Sequence, residues 1–162
     1  STTFAQIYEK GSKNVNLGLS GGYGSGGGGL GLGVFGSIDY GKSDVLSLGI
    51  SASAYTHNYD YAFVDNYRVS YLTLNARAAY HLNKIVRDNL GIKTDKSDVY
   101  IGLSPGFRHV SINDTYSKYY SGSDTGITLG AFLGGRYQLQ KNLGAYLEFG
   151  APMSSIGLTI KL

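Results

Sequence analysis

Residues Tyr71 to Leu82 read Tyr-Leu-Thr-Leu-Asn-Ala-Arg-Ala-Ala-Tyr-His-Leu, and this stretch decides the fold. Leu72, Leu74, Ala76, Ala78, Tyr80 and Leu82 alternate with Tyr71, Thr73, Asn75, Arg77, Ala79 and His81. A period of two sends successive side chains to opposite faces of a β-strand, whereas a helix would repeat every 3.6 residues. Upstream the same alternation runs through Leu46 to Ala54 and Leu30 to Val34, and more weakly through Val15 to Leu19. Downstream it returns at Val99 to Phe107, Ile127 to Tyr137, Leu143 to Phe149 and Ile156 to Leu162. The spacing predicts eight strands in one domain, residues 1–162, with no linker or composition break.

Which face is the core follows from what stands between the apolar residues. A soluble sandwich or ligand-carrying barrel turns its apolar face inward and shows Lys and Glu to water. Here the non-apolar face carries Gly, Ser, Thr, Tyr and a few charges. Small polar side chains suit the interior of a narrow barrel, which eight strands leave just wide enough to fill. The apolar face is aliphatic in the middle, with Tyr40, Tyr80, Tyr137 and Phe149 toward strand ends, as in a lipid-facing band with aromatic girdles. Open sheet edges are not tolerated in lipid, so the sheet must close. The expected fold is all-β: an eight-stranded antiparallel up-and-down transmembrane β-barrel with a polar lumen.

Composition agrees. The chain has 25 Gly and 15 Tyr among 162 residues, and only 15% charged residues against 42% hydrophobic ones, which excludes a disordered tail. Zero cysteines exclude a disulfide scaffold, a thiolate metal site and a cysteine nucleophile. A net charge of +3 is too small for a nucleic-acid binder. Gly36 to Ser43 formally fits the phosphate-loop pattern, and Gly24, Gly26 and Gly29 the dinucleotide fingerprint. The first is followed by a strand where a helix is needed, and the second lies in a glycine tract where such matches arise freely. His57, His81 and His109 fall on different strands without an acidic cluster, so neither a metal nor a cofactor is expected.

Short connections at Tyr40 to Asp44, Gln140 to Asn142 and Ala151 to Ser154 fit hairpin turns. Gly21 to Gly29 is a glycine-rich tip, and longer loops are expected at His57 to Asn66, Asn83 to Ser97 and Ile112 to Ser123. A short helical turn is expected over Asn83 to Asn89.

The chain closes on Ser155-Ile156-Gly157-Leu158-Thr159-Ile160-Lys161-Leu162. This resembles the C-terminal signal of Gram-negative outer-membrane barrels: a polar residue, a glycine two places on (Gly157), then alternating hydrophobic residues ending the chain (Ile160 and Leu162). The family usually ends in Phe, where this chain has Leu162. Ala79 to Asn83, Gly134 to Tyr137 and Asn142 to Gly150 also look like small eight-stranded outer-membrane β-barrel proteins. The resemblance implies recognition by the barrel-assembly machinery, a cleaved signal peptide, residence in the bacterial outer membrane and contact with its lipid and lipopolysaccharide. With the N-terminus periplasmic, Asn83 to Ser97 is a long connection on the side where barrels normally have short turns, and a candidate contact surface.

The same resemblance raises one enzymatic reading. Some outer-membrane barrels are lipid A deacylases whose His and Ser lie two apart on one lipid-facing strand, near an acidic residue. His109 and Ser111 have that spacing, with Asp114 or Asp124 to orient the imidazole. The Asn that follows the Ser in that family is Ile112 here.

Arg77, Arg108, Arg136, Glu148 and Lys161 fall on the inward face, with Asp39 near an end, and charges in a narrow lumen must be paired or hydrated. An internal ionic network is expected, with a regulated pore gate as the alternative. Glu148 lies on a strand adjacent to those of Arg136 and Lys161. Tyr59, Tyr61, Phe63 and Tyr67 in one outside loop, and Tyr116, Tyr119 and Tyr120 in another, have the chemistry of adaptable recognition surfaces, with extension of the interfacial girdle or capping of the barrel mouth as the equal alternative. The expected function is therefore an integral outer-membrane barrel without catalytic activity, presenting Tyr-rich loops, as a subunit of a larger outer-membrane complex or as a binder of other outer-membrane proteins. A narrow channel for ions or small solutes is the alternative, and lipid A deacylation stands behind it.

Overall fold

The computed structural model describes residues 7–23, 30–61, 64–114, 122–151 and 153–162. Eight strands run in chain order: β1 (Lys13–Tyr23), β2 (Leu30–Gly41), β3 (Leu46–Tyr61), β4 (Val64–His81), β5 (Ser97–Asp114), β6 (Gly122–Gln138), β7 (Leu143–Ala151) and β8 (Met153–Lys161). One helix, α1 (Asn83–Leu90), joins β4 to β5. Every neighbouring pair is antiparallel, and β1 pairs with β8, from Asn14 opposite Lys161 to Gly22 opposite Met153, so the sheet closes on itself.

The two faces divide as the alternation requires. Among the described residues, 25 large apolar or aromatic strand side chains point outward and stay exposed, Ile127 at 87% and Leu32 at 74% being the extremes. Soluble monomers rarely expose contiguous apolar patches larger than a few hundred Å², and a band of this extent calls for a lipid solvent. Tyr40, Tyr80 and Tyr137 are the penultimate residues of β2, β4 and β6, and all three are outward and exposed. They ring the end of the barrel that carries both termini.

The inward face is filled. Tyr100, Tyr146, Phe35 and Phe132 are buried together with Asn16, Asp39, Arg77, Asp98, Arg136 and Glu148. Two glycines make room for the rings: a Cβ on Gly134 would lie 2.3 Å from the Tyr100 ring, and one on Gly102 2.4 Å from Phe132.

Two loop expectations are corrected. The segment 57–66 is mostly strand, with β3 continuing to Tyr61 and β4 beginning at Val64, Tyr59 opposite Tyr67. Likewise β5 runs to Asp114 and β6 starts at Gly122. In both stretches the backbone ladder continues while the hydrophobic alternation that would reveal it stops in the sequence. Tyr59, Tyr61 and Tyr67 are thus strand residues, while Phe63, Tyr116, Tyr119 and Tyr120 lie outside the described residues. The helical expectation over 83–89 matches α1, which ends at Gly91 in the left-handed region (φ 64°), its N–H donating to the Arg87 carbonyl.

Candidate functional site in the lumen

Six strands send polar side chains to one level of the lumen. Arg77 from β4 donates from Nε to Asp39 Oδ1 at 3.1 Å, and from Nη2 and Nη1 to Glu148 at 2.6 and 3.2 Å. Arg136 from β6 donates to Asp39 Oδ2 at 2.7 Å, Asp98 Oδ2 at 3.1 Å and Asn16 Oδ1 at 3.3 Å. The Asn16 amide donates to Ser37 Oγ at 2.8 Å and Asp39 Oδ2 at 3.2 Å. The Tyr100 hydroxyl donates to Glu148 Oε1 at 2.9 Å. Asp39 therefore bridges two guanidiniums, and rings cover their remaining faces: Arg77 Cζ lies 4.1 Å from the Phe132 centroid and Arg136 Cζ 4.5 Å from that of Tyr100. Burying charge is tolerable only with such pairing and hydrogen bonding.

Toward the termini the layer continues through His81, whose Nδ1 lies 2.7 Å from Asp98 Oδ1 and whose Nε2 lies 2.9 Å from Ser47 Oγ. Tyr8, from the segment before β1, stacks on this imidazole with centroids 3.4 Å apart, and its hydroxyl donates to the Ser43 carbonyl at 2.6 Å. Burial, reinforced by the Asp98 carboxylate, pushes the Tyr8 hydroxyl above the ordinary tyrosine pKa. Toward the other end lies a cavity of about 40 Å³, whose walls include Ser51, Ser53, Thr73, Asn75, Ser104 and Thr128. It has room for a few water molecules, each needing ~10–15 Å³, and none for a sugar or a nucleotide. Beyond it Tyr55 stacks on Tyr71, with Val69, Val110 and Met153 packed around them.

Of the five charged residues read as one lumen network, Arg77, Arg136 and Glu148 lie together. Arg108 lies apart, its guanidinium 5.7 Å from the Tyr71 centroid, and Lys161 reaches Glu9 Oε1 at 2.6 Å at the termini-bearing mouth. Glu148 turns to Arg77, three strands away, rather than to the adjacent strands of Arg136 and Lys161. Asp98, Tyr100 and Tyr8 carry no site signal in the sequence, and His81 enters there only as a histidine without an acidic cluster. Asp98 adjoins the stretch read as a loop, and residues 7–12 carry no periodicity to mark them as a plug.

On the outer wall, Ser111 Oγ lies 3.3 Å from His109 Nε2, and His109 Nδ1 lies 2.8 Å from Thr125 Oγ1. The imidazole is thus held by a hydroxyl and not by the Asp124 carboxylate; Asp124 lies opposite Val110, on the inward face. At the C-terminus, Ile156, Leu158, Ile160 and Leu162 are exposed on the outer face, while a Cβ on Gly157 would meet the Leu17 carbonyl oxygen and Gly18 Cα of β1.

No protein-family model and no curated protein matches the sequence. Solved structures match along nearly all of it. Ail, the attachment invasion locus protein of Yersinia pestis, aligns with a TM-score of 0.62 at 12% identity, over 94% of this chain and 99% of its own. Neisserial surface protein A aligns with a TM-score of 0.63 at 16% identity, over 93% and 96%. The N-terminal β-barrel domain of Pseudomonas aeruginosa OprF gives 0.57 at 18% identity, over 96% and 100%. At such identities the likeness is one of fold: this chain has the architecture of small eight-stranded outer-membrane barrels.

Proposed function

We propose that the protein is an integral barrel of the bacterial outer membrane that acts as a plugged scaffold, with its structural or binding role at the hairpins opposite the termini. The carrying observation is the filled cross-section. Arg77, Arg136, Asp39, Asp98, Tyr100 and Glu148 come from five strands and are each no more than 4% exposed. A water-filled pore would wet these side chains. The aliphatic outer wall and the likeness to outer-membrane barrels support the location. The recognition role falls to the tyrosines within 59–67 and 116–120, which in the chain order lie around the β3–β4 connection and between β5 and β6.

The test is planar-bilayer conductance of the folded protein. The plugged reading expects a silent wild type and openings once Arg77→Ser and Arg136→Ser empty the layer. Steady wild-type conductance would favour the narrow channel and sink the scaffold reading. Co-purification from membranes in mild detergent tests the binding role, and a barrel that always migrates alone counts against a stable complex.

The Ser111–His109–Thr125 chain of contacts favours a second reading, ester hydrolysis on the lipid-facing wall. It has a nucleophile, a base and an orienting hydroxyl, but Ile112 brings no oxyanion donor side chain. A mass loss from lipid A that disappears in Ser111→Ala would establish it; an unchanged lipid A mass would remove it.

A further inference from the structure

We propose that the end of the barrel carrying both termini is a docking surface for anionic phospholipid headgroups, with α1 lying in the headgroup layer as an amphipathic anchor. This rests on the membrane-barrel reading and extends it to the lipid that the barrel selects.

Helical spacing puts Ile85, Val86 and Leu90 on one side of α1, and Lys84, Arg87 and Asp88 on the other. The barrel covers the apolar side only in part: Val86 is half-buried, no residue of α1 is fully buried, and Ile85 and Leu90 are 46% and 68% exposed. Amphipathic helices with an open apolar side and cations opposite lie in the plane of a membrane interface. The level of α1 fits that place. Asn83, its first residue, is three positions beyond Tyr80 of the tyrosine girdle, and interfacial tyrosines mark headgroup depth. Its start is also fixed to the barrel: Asn83 Oδ1 accepts from the Val99 N–H at 2.9 Å, and the Leu82 N–H donates to the Val99 carbonyl at 2.7 Å. Residues 42–45 and 139–142 join the other strand pairs at this end, whereas β4 and β5 are joined by residues 82–96. A turn alone does not need that extra chain.

Charge selects the occupant. Eight of the nine lysines in the chain lie at this end, the exception being Lys118, between β5 and β6 in the sequence. With Arg87 they make nine cations, against Glu9, Asp44, Asp88 and Asp95, so this rim is net positive by five charges. The nearest anions at the depth of a tyrosine girdle are lipid phosphates, and clustered cations beside a membrane favour anionic over zwitterionic lipid. A headgroup of net negative charge, such as phosphatidylglycerol, is the ligand class.

The chain has no tryptophan, so Ile85→Trp places a single fluorescent reporter on the apolar side of α1. The full chain carrying it is folded into vesicles of phosphatidylcholine alone and of phosphatidylcholine with phosphatidylglycerol. The expected result is bluer emission in the mixed vesicles, with quenching by lipids brominated close to the headgroup. Spin-labelled phosphatidylglycerol should associate with the barrel in preference to phosphatidylcholine. Lys84→Gln and Lys93→Gln should each lower that preference roughly fivefold. Emission unchanged between lipids and fully quenched by acrylamide overturns the proposal. So does a response to soluble peptidoglycan fragments with none to phosphatidylglycerol, which would make the partner cell wall. If Ile85→Trp alone fails to fold, Leu90→Trp carries the same readout. A wild-type chain that shows no heat-modifiable gel shift would instead defeat the membrane reading itself, whatever the reporter does.

Discussion

Arg77 on β4 and Glu148 on β7 meet across the lumen in a two-pronged ion pair, 2.6 and 3.2 Å long, between residues 71 apart in the chain. Both side chains are buried, at most 5% exposed. The pair therefore acts as a tie between distant parts of the wall, and its removal has a readable cost.

Glu148→Gln takes the charge from the two-pronged contact and leaves Arg77 with Asp39 as its carboxylate partner. We expect a loss of about 1.5–3 kcal/mol, the range for hydrogen bonds to charged groups. Urea unfolding from lipid vesicles measures it. A loss below 1 kcal/mol would mean that water reaches Arg77 and the layer is not a plug.

Gly134→Leu should destabilise the barrel through a single collision, because the position of its Cβ is 2.3 Å from the Tyr100 ring. Overpacking of this kind costs about 1–3 kcal/mol. Tyr100→Ala in the same chain should recover part of the loss, and additive effects in the double variant would refute a direct clash.

Leu129→Arg tests the solvent of the outer wall. Leu129 is 71% exposed, so in water the change would be nearly neutral. In lipid it should cost about 2–4 kcal/mol near the midplane. The unfolding midpoint in vesicles, compared with Leu129→Ala, decides between them.

Tyr8 gives the barrel an alkaline sensitivity. Its hydroxyl is held above the usual value by burial and by Asp98, so the folded state keeps this proton longer than the unfolded chain does. The stabilisation is complete below about pH 10, where an unfolded tyrosine starts to ionise, and is lost as pH rises through the folded value. Tyr8→Phe keeps the stack on His81 but removes the hydrogen bond to Ser43, for about 0.5–1.5 kcal/mol at neutral pH. The gap between wild type and Tyr8→Phe should narrow above pH 10; a gap that widens there reverses the sign.

The outer wall was legible from the sequence because lipid imposes one rule on every outward residue, and Leu32, Leu74 and Ile127 obey it. Alternation also assigns the face of each charge, and Arg77, Arg108 and Arg136 all face inward. It does not give depth. Depth depends on strand register: Arg77 stands opposite Gly49 and Arg108 opposite Thr73, which separates two arginines of the same strand-parity class into different layers. The partner of Glu148 was illegible for the same reason, since adjacency in the sheet says nothing about what reaches across the lumen. His81 and Asp98 form their contact on the two strands that α1 joins, next to a segment whose pattern had already broken.

The seam between β1 and β8 has a consequence in time. Asn16 near the start of the chain holds Arg136, 120 residues later, and Arg77 waits for Glu148 on the next-to-last strand. A chain halted before β7 would hold its two central arginines with a carboxylate missing and two sheet edges open. Such an unfinished product leaves backbone N–H and C=O groups unpaired along both edges, and Arg77 without one of its two carboxylate partners. The layer that stops the lumen is thus complete only when the last pieces of the wall arrive.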